Sequence, residues 1–536
     1  MKKRSSRFTA LFLALALLIA MVAGCGESDS SNSADSGSST TEESIPSSEG
    51  TSSVNEEENT AEPVELTVFL NHTWYSTESY TGIIPEEITK ATGVTLNPTK
   101  AMDSQQLGMM IASGDLPDLV FTSDLMDKLS NPSLCYSYNE LIEEYGVDWD
   151  VTPIQQQNAK AFSSDDNYYC VLSHFASNED WAKTESVPMV ASLIYRQDIV
   201  EELGNPEINT LDDLMAVYEQ VKTNYPDMIP LNFSTDTWTL DPFKTWNNCT
   251  LQRFTINDDG SVEITATTEP YKDYLYFCNQ MYRKGYFSAD NFSWAGDEEK
   301  AQFNSGNAFS TVQNTQNSIN SFTDLNTNPD VHLMEMMPLS DYPIINSELG
   351  WCGTFITKNN EHPEESIRFM QYLFSEEGQK LSQWGREGIE YVLDDKGLPQ
   401  FSEEWNQSIE DGTNDEIYNT NFYFGGSKIL EAEGRCAVLP DELQPVYDAI
   451  RESFTNDPWY VYAEPKDSDG DMKVIDDKLQ DLIKNSDAKI ILSESDEEFE
   501  SNYQEFQNQI AQIGGDELAD FMEPRLQEAM ELYGAE

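Results

Sequence analysis

Strands and helices alternate at the start of the globular part of the chain, and this alternation limits the fold more than any other sequence feature. Residues 64–70 (VELTVFL) alternate apolar and polar side chains and are rich in strand-forming residues. A helical segment at 85–90 follows and ends before a glycine, and a second strand occupies 94–96. A helix at 105–112 and a short apolar strand at 118–121 complete the series. Strands separated by helices in this way form a largely parallel sheet, so the pattern predicts an α/β fold.

Capping residues and apolar stripes predict further helices downstream. Thr210 and Asp213 have the spacing of a capping box, and the apolar residues that follow fall on one helical face. Pro363 is typical of a first helical turn, and two glutamates follow it. Near the C-terminus, two helices with apolar stripes are divided by the glycine pair 514–515. A chain of 536 residues exceeds one ordinary core, so more than one lobe is expected.

The sequence lacks the motifs of several common enzyme classes. It contains no GxxxxGK[ST] or GxGxxG loop, no HExxH and no GxSxG. Its four histidines have no His or Cys at zinc-ligand spacing. The acidic run 467–471 resembles a calcium loop, but Met472 and Lys478 occupy positions where an EF-hand has glycine and glutamate. We therefore predict no catalytic residues, no metal site and no cofactor.

The charge of the chain excludes two classes of partner. Lys and Arg total 31 and Asp and Glu total 96, which gives a formal net charge of −65 at pH 7. Nucleic-acid phosphates need cationic side chains, so we expect no nucleic-acid binding. Adhesion to an anionic membrane through a basic face is excluded for the same reason. Most of the acidic side chains are expected to form a solubilising surface.

The first residues have the composition of an export signal. A basic segment precedes the apolar stretch 8–23, and small residues then lead to Cys25. This arrangement resembles the lipobox of bacterial lipoproteins, which implies removal of the signal peptide 1–24 and a lipid on the Cys25 sulfur. Residues 25–62 combine that cysteine with a Ser-rich acidic stretch that we expect to be a disordered tether. The six other cysteines have no CxxC spacing and are expected to be isolated buried thiols.

Aromatic residues beside polar ones indicate a carbohydrate site. Trp74, Trp238 and Trp351 lie next to Asp, Asn, Gly or Thr rather than within apolar runs. Flat aromatic faces suit the C–H faces of sugar rings, and neighbouring carboxylates and amides suit the hydroxyls. We predict that two or three such rings line a cleft.

Several segments, taken in order, resemble a known family. They are ASGDLPD at 112–118, IYRQD and TLDDL within 194–214, KNNEHPE and YLFSEEG within 358–378, and GIEY with DDKG within 388–397. In these segments the chain resembles family 1 of the extracellular solute-binding proteins, the carbohydrate-receptor lipoproteins of ABC importers, and in particular its LplA/LipO-like branch. The resemblance implies an α/β, two-lobed, type II periplasmic-binding-protein-like fold, with a hinge and a ligand cleft between the lobes. One departure is Glu390, which stands where the family motif usually has His, so no role is assigned to it.

The resemblance also implies domain limits and a function. Lobe one is expected at 64–190 and 305–350, and lobe two at 191–304 and 351–536. The implied function is capture of a sugar or oligosaccharide by hinge closure and its delivery to the permease subunits. The implied location of this lipid-anchored monomer is the outer face of the bacterial cytoplasmic membrane. Two alternatives stay open: a receptor of the same fold for a peptide or uronate, and a cell-surface glycoside hydrolase with two carboxyls flanking the scissile bond.

Ten ligand-binding candidates follow from the resemblance. Those before residue 191 or on the return segment are Trp74, Tyr75, Asp118, Gln313 and Asn314. The others are Trp238, Asp241, Trp246, Trp351 and Arg386. For Arg386, a structural ion pair with a carboxylate is an equally good interpretation.

Overall fold

The computed structural model describes residues 62–75, 77–294, 296–316, 319–437 and 440–535. The predicted signal peptide, the lipidation site Cys25 and all but the last residue of the predicted tether lie outside the described residues. Among the helices of the described ranges, none combines the length and apolarity needed to span a membrane.

Strands and helices cover most of the described residues. The strands are β1 Val64–Leu70, β2 Val94–Lys100, β3 Leu119–Thr122, β4 Ala191–Arg196, β5 Ile229–Asn232, β6 Phe254–Ile256, β7 Val262–Ile264, β8 Ala308–Asn314, β9 Leu333–Glu335, β10 Ile344–Asn346, β11 Gly353–Ile356, β12 Tyr391–Leu393, β13 Pro399–Phe401 and β14 Phe454–Asn456. The α-helices are α1 Ile83–Thr92, α2 Gln106–Ser113, α3 Met126–Leu129, α4 Tyr138–Tyr145, α5 Pro153–Lys160, α6 Asn178–Trp181, α7 Gln197–Glu202, α8 Leu211–Asn224, α9 Asp241–Trp246, α10 Glu269–Arg283, α11 Gly296–Asn304, α12 Thr323–Asn326, α13 Pro363–Leu373, α14 Glu376–Trp384, α15 Glu403–Glu410, α16 Asn414–Ile417, α17 Lys428–Cys436, α18 Gln444–Ser453, α19 Trp459–Ala463, α20 Asp471–Ile491, α21 Asp496–Ile513 and α22 Gly515–Tyr533.

The first four-stranded sheet has the order β11-β3-β1-β2. Its strands β1, β2 and β3 are parallel, and β11 runs antiparallel to β3 with Gly353 opposite Thr122. Every residue of β3 is buried. A strand buried on both faces is expected where helices cover both sides of a parallel sheet. The predicted α/β character of this region is confirmed.

The second four-stranded sheet has the order β5-β8-β4-β9. Here β5 and β8 are parallel, whereas β4 is antiparallel to both β8 and β9. Helix α8 packs beside this sheet, and the predicted capping box is present at its start, where Thr210 accepts from the Asp213 N–H. The long C-terminal helices α20, α21 and α22 belong to the same core, through Leu479, Phe506 and Leu526.

Strand pairing corrects the predicted allocation of the two return segments. Strands β8 and β9, in the segment 305–350 assigned to lobe one, pair with β4 in the second sheet. Strand β11, at the start of the segment assigned to lobe two, pairs with β3 in the first sheet. Helix α13 follows it into the first core, where Ile367 packs with Leu66 and Ile84. The physical reason is that the partner of a strand is chosen across hundreds of residues, which the local sequence pattern does not record.

Three chain segments therefore connect the two sheets. They run from residue 173 to β4, from β9 to β11, and from α17 to α18. The second segment contains β10, which pairs in parallel with β14. Asn456 of β14 ties the first two of these segments together, since its amide donates to the carbonyls of Ala176 at 3.0 Å and Glu348 at 3.2 Å. Its Oδ1 also accepts from the Glu348 N–H at 2.8 Å.

Candidate ligand-binding site

Aromatic side chains meet at one edge of the first sheet. His72 and Trp74 follow the end of β1, and Trp351 precedes the start of β11 by two residues. Because β11 is antiparallel to β3, its beginning lies at the carboxyl ends of the parallel strands. In open α/β sheets the crevice outside the carboxyl ends of the strands is the usual ligand site.

Four rings at this edge contact one another in a cluster, which we call the aromatic platform: His72, Trp74, Trp351 and Tyr423. The Trp74 and Trp351 rings stack with centroids 5.8 Å apart and planes 24° apart. His72 stacks on Trp351 at 5.4 Å and 25°, and Tyr423 stands edge-on to Trp351 at 5.8 Å and 82°. Trp74 is 58% exposed. An exposed tryptophan within a stacked aromatic group is typical of an interaction site.

Buried residues hold the aromatic platform from below. Tyr75 is buried and stacks on Trp74 at 5.4 Å, and its hydroxyl donates to the Asn421 carbonyl. Tyr75 thus supports the exposed indole, while its own polar atom is already used. The imidazole Nε2 of His72 lies 3.3 Å from the Cys352 sulfur. Burial lowers the pKa of His72, so the ring is neutral at pH 7 and offers one donor and one acceptor.

His174 connects the aromatic platform to two inter-sheet segments and to the turn that precedes the third. It lies in the first segment with φ of 54°, and its ring meets Trp351 of the second segment edge-on at 5.4 Å. Its backbone N–H donates to the carbonyl of Gly426, just before the third segment, at 2.7 Å. A Cβ at Gly426 would lie 2.1 Å from this ring. Burial lowers the pKa of His174 to about 4, which keeps it neutral.

A cavity of about 740 Å³ opens beside the second sheet. The loop after β5 lines it with Asp236 and Trp238, and α20 lines it with Asp481, Lys484 and Asp487. Trp238 is 37% exposed. This cavity therefore combines an accessible aromatic ring with polar and charged side chains, a composition that suits hydroxyl-bearing ligands.

The charges beside this cavity are largely neutralised. Lys244 lies 3.1 Å from Asp241 and 5.7 Å from the centre of the Tyr274 ring. Burial raises the pKa of Asp241 and raises the pKa of Asp487 to about 6. The hydroxyl of Tyr271 donates to Asp487 at 2.7 Å. Asp241 thus has a structural partner within its own helix.

The remaining candidates are distributed over the fold. Gln313 is buried at the end of β8, and its Oε1 accepts from the Asn314 N–H at 3.0 Å. Trp246 is 8% exposed and packs edge-on against Phe243 in the second core. Among the ring contacts of the described residues, Trp246 has none with the aromatic platform.

Asp118 and Arg386 have structural partners. The carboxylate of Asp118 accepts from the N–H and the hydroxyl of Thr67 at 2.7 and 2.6 Å. Asp118 precedes β3, at the opposite end of that strand from the aromatic platform. Arg386 makes two hydrogen bonds to Glu390, at 3.0 and 2.7 Å, and approaches Glu87 at 3.5 Å. The structure therefore brings Trp74, Tyr75 and Trp351 together and leaves these two side chains elsewhere.

Two further sequence features have clear structural settings. Asp469 of the acidic turn pairs with Arg525 at 3.3 Å and accepts from the Lys466 N–H at 2.7 Å. All six cysteines of the described residues are free thiols; five of them are buried, as expected, and Cys436 is half-buried.

Sequence reasoning missed His72, Tyr423 and His174. His72 lies in the same polar and aromatic loop as Trp74, so its neighbours were a usable signal. Tyr423 belongs to the aromatic and glycine-rich run NFYFGG at 421–426, which also departs from an ordinary core pattern. For His174 no local signal exists, because its importance comes from three segments that are distant in sequence.

Comparisons with known proteins agree with this architecture. The profile of the family described as "Bacterial extracellular solute-binding protein" matches residues 73–380, more than half of the chain. Among solved structures, the alginate-binding protein AlgQ2 without calcium ion is similar at 19% identity and a TM-score of 0.60, over 87% of this chain and 99% of that one. No curated protein matches the chain.

Two further solved structures are similar over nearly their whole length. A solute-binding protein of Bifidobacterium longum infantis, described as HMO-binding and ABC-transporter associated, has 14% identity and a TM-score of 0.64, over 88% of this chain and 100% of that one. The Streptococcus pneumoniae ABC-transporter substrate-binding protein FusA, in complex with kestose, has 18% identity and a TM-score of 0.63, over 87% and 99%. These similarities confirm the predicted two-lobed, periplasmic-binding-protein-like fold.

Proposed function

Since the chain belongs to the bacterial extracellular solute-binding proteins, a family of binding proteins rather than enzymes, we propose that it is the oligosaccharide receptor of an ABC importer. One observation carries the proposal: the Trp74 and Trp351 rings stack at the carboxyl edge of the first sheet, and Trp74 is largely exposed.

The aromatic platform suits a sugar for reasons of shape and polarity. The indole of Trp74 is largely exposed, and Trp351 stacks beside it with centroids 5.8 Å apart, so the exposed ring is held in a fixed orientation. The C–H faces of pyranose or furanose rings pack on such surfaces, and each aromatic ring excludes water from the contact. Neutral His72 and the Tyr423 hydroxyl supply hydrogen-bonding groups at the margins of this surface. The neighbours described as binding alginate, HMO or kestose support the carbohydrate class.

Hinge closure completes this proposal. We assign the aromatic platform to one half of the site and the cavity with Trp238 to the other half. Ligand that contacts both halves favours the closed form only by its differential affinity for that form. The three connecting segments are the elements that would bend, and Asn456 links the first two of them to β14.

We extend the proposal to membrane anchoring and to delivery of the ligand. The lipobox-like segment before Cys25 supports a lipid anchor on the outer face of the cytoplasmic membrane, with residues 25–62 as the tether. The closed receptor would then present its bound glycan to the permease subunits.

A thermal-shift screen tests the proposed function. The full chain, in a detergent without a sugar head group, is mixed with neutral and acidic oligosaccharides, amino acids and peptides. A ligand at 100 times its Kd adds about 2.7 kcal/mol of stability, which is readily visible. Stabilisation by a glycan class, with no product after long incubation, is the expected result. A response to peptides alone would contradict the carbohydrate assignment, and product formation would contradict the receptor assignment.

A further inference from the structure

We propose that Cys352 fixes the tautomer of His72, so that the imidazole presents its Nδ1–H to the ligand as a hydrogen-bond donor. The inference rests on the proposed function and adds one directed contact to its site. The contact calls for an acceptor oxygen on the ligand, such as a hydroxyl, ring or glycosidic oxygen of a sugar. It follows from the different surroundings of the two ring nitrogens.

The His72 ring is held in one orientation. It stacks on Trp351 with centroids 5.4 Å apart, and it meets Phe121 edge-on with centroids 5.6 Å and planes 64° apart. The backbone on both sides is also fixed, since the Asn71 N–H donates to the Phe121 carbonyl at 3.0 Å and the His72 carbonyl accepts from the Tyr75 N–H at 3.2 Å. Each ring nitrogen therefore keeps a single environment.

The Nε2 atom of His72 faces a buried sulfur. It lies 3.3 Å from Cys352 Sγ, a distance at which sulfur forms hydrogen bonds, and Cys352 is fully buried. The Cys352 carbonyl accepts from the Ser173 N–H at 2.9 Å, and the Trp351 N–H donates to the Ser173 carbonyl at 2.7 Å. The backbone that carries Trp351 thus also holds the sulfur against the aromatic platform.

The direction of this hydrogen bond decides the tautomer. Burial raises the pKa of the Cys352 thiol, so the thiol keeps its proton at pH 7 and that proton needs an acceptor inside the protein. A neutral imidazole nitrogen accepts readily, whereas a thiol sulfur is a weak acceptor. Donation from the thiol S–H to Nε2 uses both groups, whereas the opposite direction spends the ring N–H on sulfur. Since His72 is neutral, its one ring proton is then on Nδ1.

The Nδ1 atom of His72 is available to a ligand. It has no hydrogen-bond partner among the described residues, and it is not one of their buried polar atoms that lack a partner. The same ring lies beside Trp74, with centroids 5.2 Å apart, and Trp74 is the largely exposed ring of the aromatic platform. A sugar that packs on Trp74 therefore brings the oxygens at its edge close to this N–H.

Nuclear magnetic resonance of the ring nitrogens reads the tautomer directly. The full chain, labelled with 15N in its histidine rings, is observed at pH 7 in the detergent of the thermal-shift screen. The chain has four histidines, and the signals of His72 are those lost in His72→Gln. Protonated and bare ring nitrogens resonate in separate ranges of the 15N spectrum. We expect a protonated Nδ1 and a bare Nε2 before any ligand is added, and a bare Nδ1 or an even mixture of tautomers would overturn the inference.

A cysteine variant tests whether the thiol sets the tautomer. In Cys352→Ala we expect both tautomers of His72 to appear. Kestose, cellotriose and maltotriose are the probes for calorimetry, and the Kd of a probe that binds should rise roughly two- to tenfold, as for the loss of one neutral hydrogen bond. Cys278→Ala removes a buried thiol from the second core and is the matched control, with the His72 signals and the Kd unchanged. An unchanged tautomer in Cys352→Ala would overturn the role of the thiol, and if this variant does not fold, the spectrum of the wild-type protein decides.

The same spectra test the contact with the ligand. A probe that binds should shift the Nδ1 signal of His72 and leave the Nε2 signal nearly unchanged. A probe that binds without shifting Nδ1 would overturn the contact and leave the proposed function intact. If no glycan binds here or in the wider screen, the proposed function fails and the ligand contact fails with it, whereas the tautomer of the free protein is measured independently of both.

Discussion

Glu299 is a buried carboxyl group that makes the stability of the second lobe depend on pH. It lies on α11 against β8, is 2% exposed, and accepts a hydrogen bond from the Thr311 hydroxyl. Burial raises its pKa from an ordinary value of 4.5 to about 7, while Lys300 and the Thr311 hydrogen bond act in the opposite direction. The Asn232 amide donates to the Glu299 backbone carbonyl at 2.9 Å, so polar groups surround the carboxyl without neutralising it.

The magnitude follows from this shift. One pKa unit corresponds to 1.36 kcal/mol, so a carboxyl raised from 4.5 to about 7 contributes about 3 kcal/mol of pH-dependent stability. The folded protein keeps the proton between these two values whereas the unfolded chain loses it. The contribution is therefore fully present below pH 4.5, decreases as the pH rises, and is lost above pH 7.

Replacing the carboxyl by a neutral group of the same shape removes this dependence. Glu299→Gln keeps an oxygen that accepts from Thr311 and has no charge to bury. We expect the variant to match the wild-type protein near pH 4.5 and to exceed its free energy of unfolding by up to about 3 kcal/mol at pH 8.

Urea denaturation between pH 4.5 and pH 8.5, followed by tryptophan fluorescence, measures the difference at each pH. Glu298→Gln removes the same charge from an exposed position on the same helix and serves as the control for the loss of a charge alone. A constant difference for Glu299→Gln, or a variant that is less stable than the wild type at pH 8, would refute the argument.

Three further substitutions test the platform and the connections beneath it. Trp74→Ala should weaken binding of the glycan found in the screen by roughly tenfold, measured by calorimetry, while the urea midpoint stays nearly unchanged because the ring is exposed. Gly426→Ala should lower the free energy of unfolding by about 1–3 kcal/mol and change the near-UV circular dichroism, since the new methyl would collide with His174. Gly108→Ala is the control for an added methyl without a collision, because this methyl meets one side-chain atom at 3.8 Å; as Gly108 lies in α2, this variant should be as stable as the wild type or more stable by up to about 1 kcal/mol. Asn456→Ala should lower the free energy of unfolding, measured in urea, by roughly 2–4 kcal/mol, because the side chain loses its three hydrogen bonds to the connecting segments. Asn485→Ala, at an exposed asparagine, is the control, and a loss of stability no larger than in this control would contradict the role of Asn456.

Local chemistry was readable from the sequence, whereas long-range pairing was not. Gly93 ends α1 in a left-handed conformation, and Thr210 caps α8, as the flanking residues predict. Both features depend on contacts within a few residues. The membership of β8 in the second sheet depends on pairs such as Gln313 with Ser192, which are 121 residues apart in the sequence. A pattern of apolar residues predicts that a strand exists but does not identify its neighbour.

In the candidate site, the aromatic candidates and the charged candidates differ in how the structure places them. Trp74 and Trp351 were identified because large rings in polar loops have few structural uses, and they do lie together although 277 residues separate them. Arg386 and Asp118 were also candidates, but Arg386 is paired with Glu390 and Asp118 accepts hydrogen bonds from Thr67.

The excess of acidic residues explains why the charged candidates were the weaker ones. With 96 carboxylates and 31 cations in the chain, a lysine or arginine generally has a carboxylate within reach before any ligand arrives. Lys244, Lys428 and Arg435 are all paired in this way, at 2.6 to 3.1 Å. A cation in such a sequence is therefore weak evidence for an anionic ligand, because its electrostatic need is met within the protein. Carboxylates on the surface can pair with a cation but cannot cover an apolar indole. An exposed indole is therefore stronger evidence for a ligand-binding surface than a lysine or arginine is.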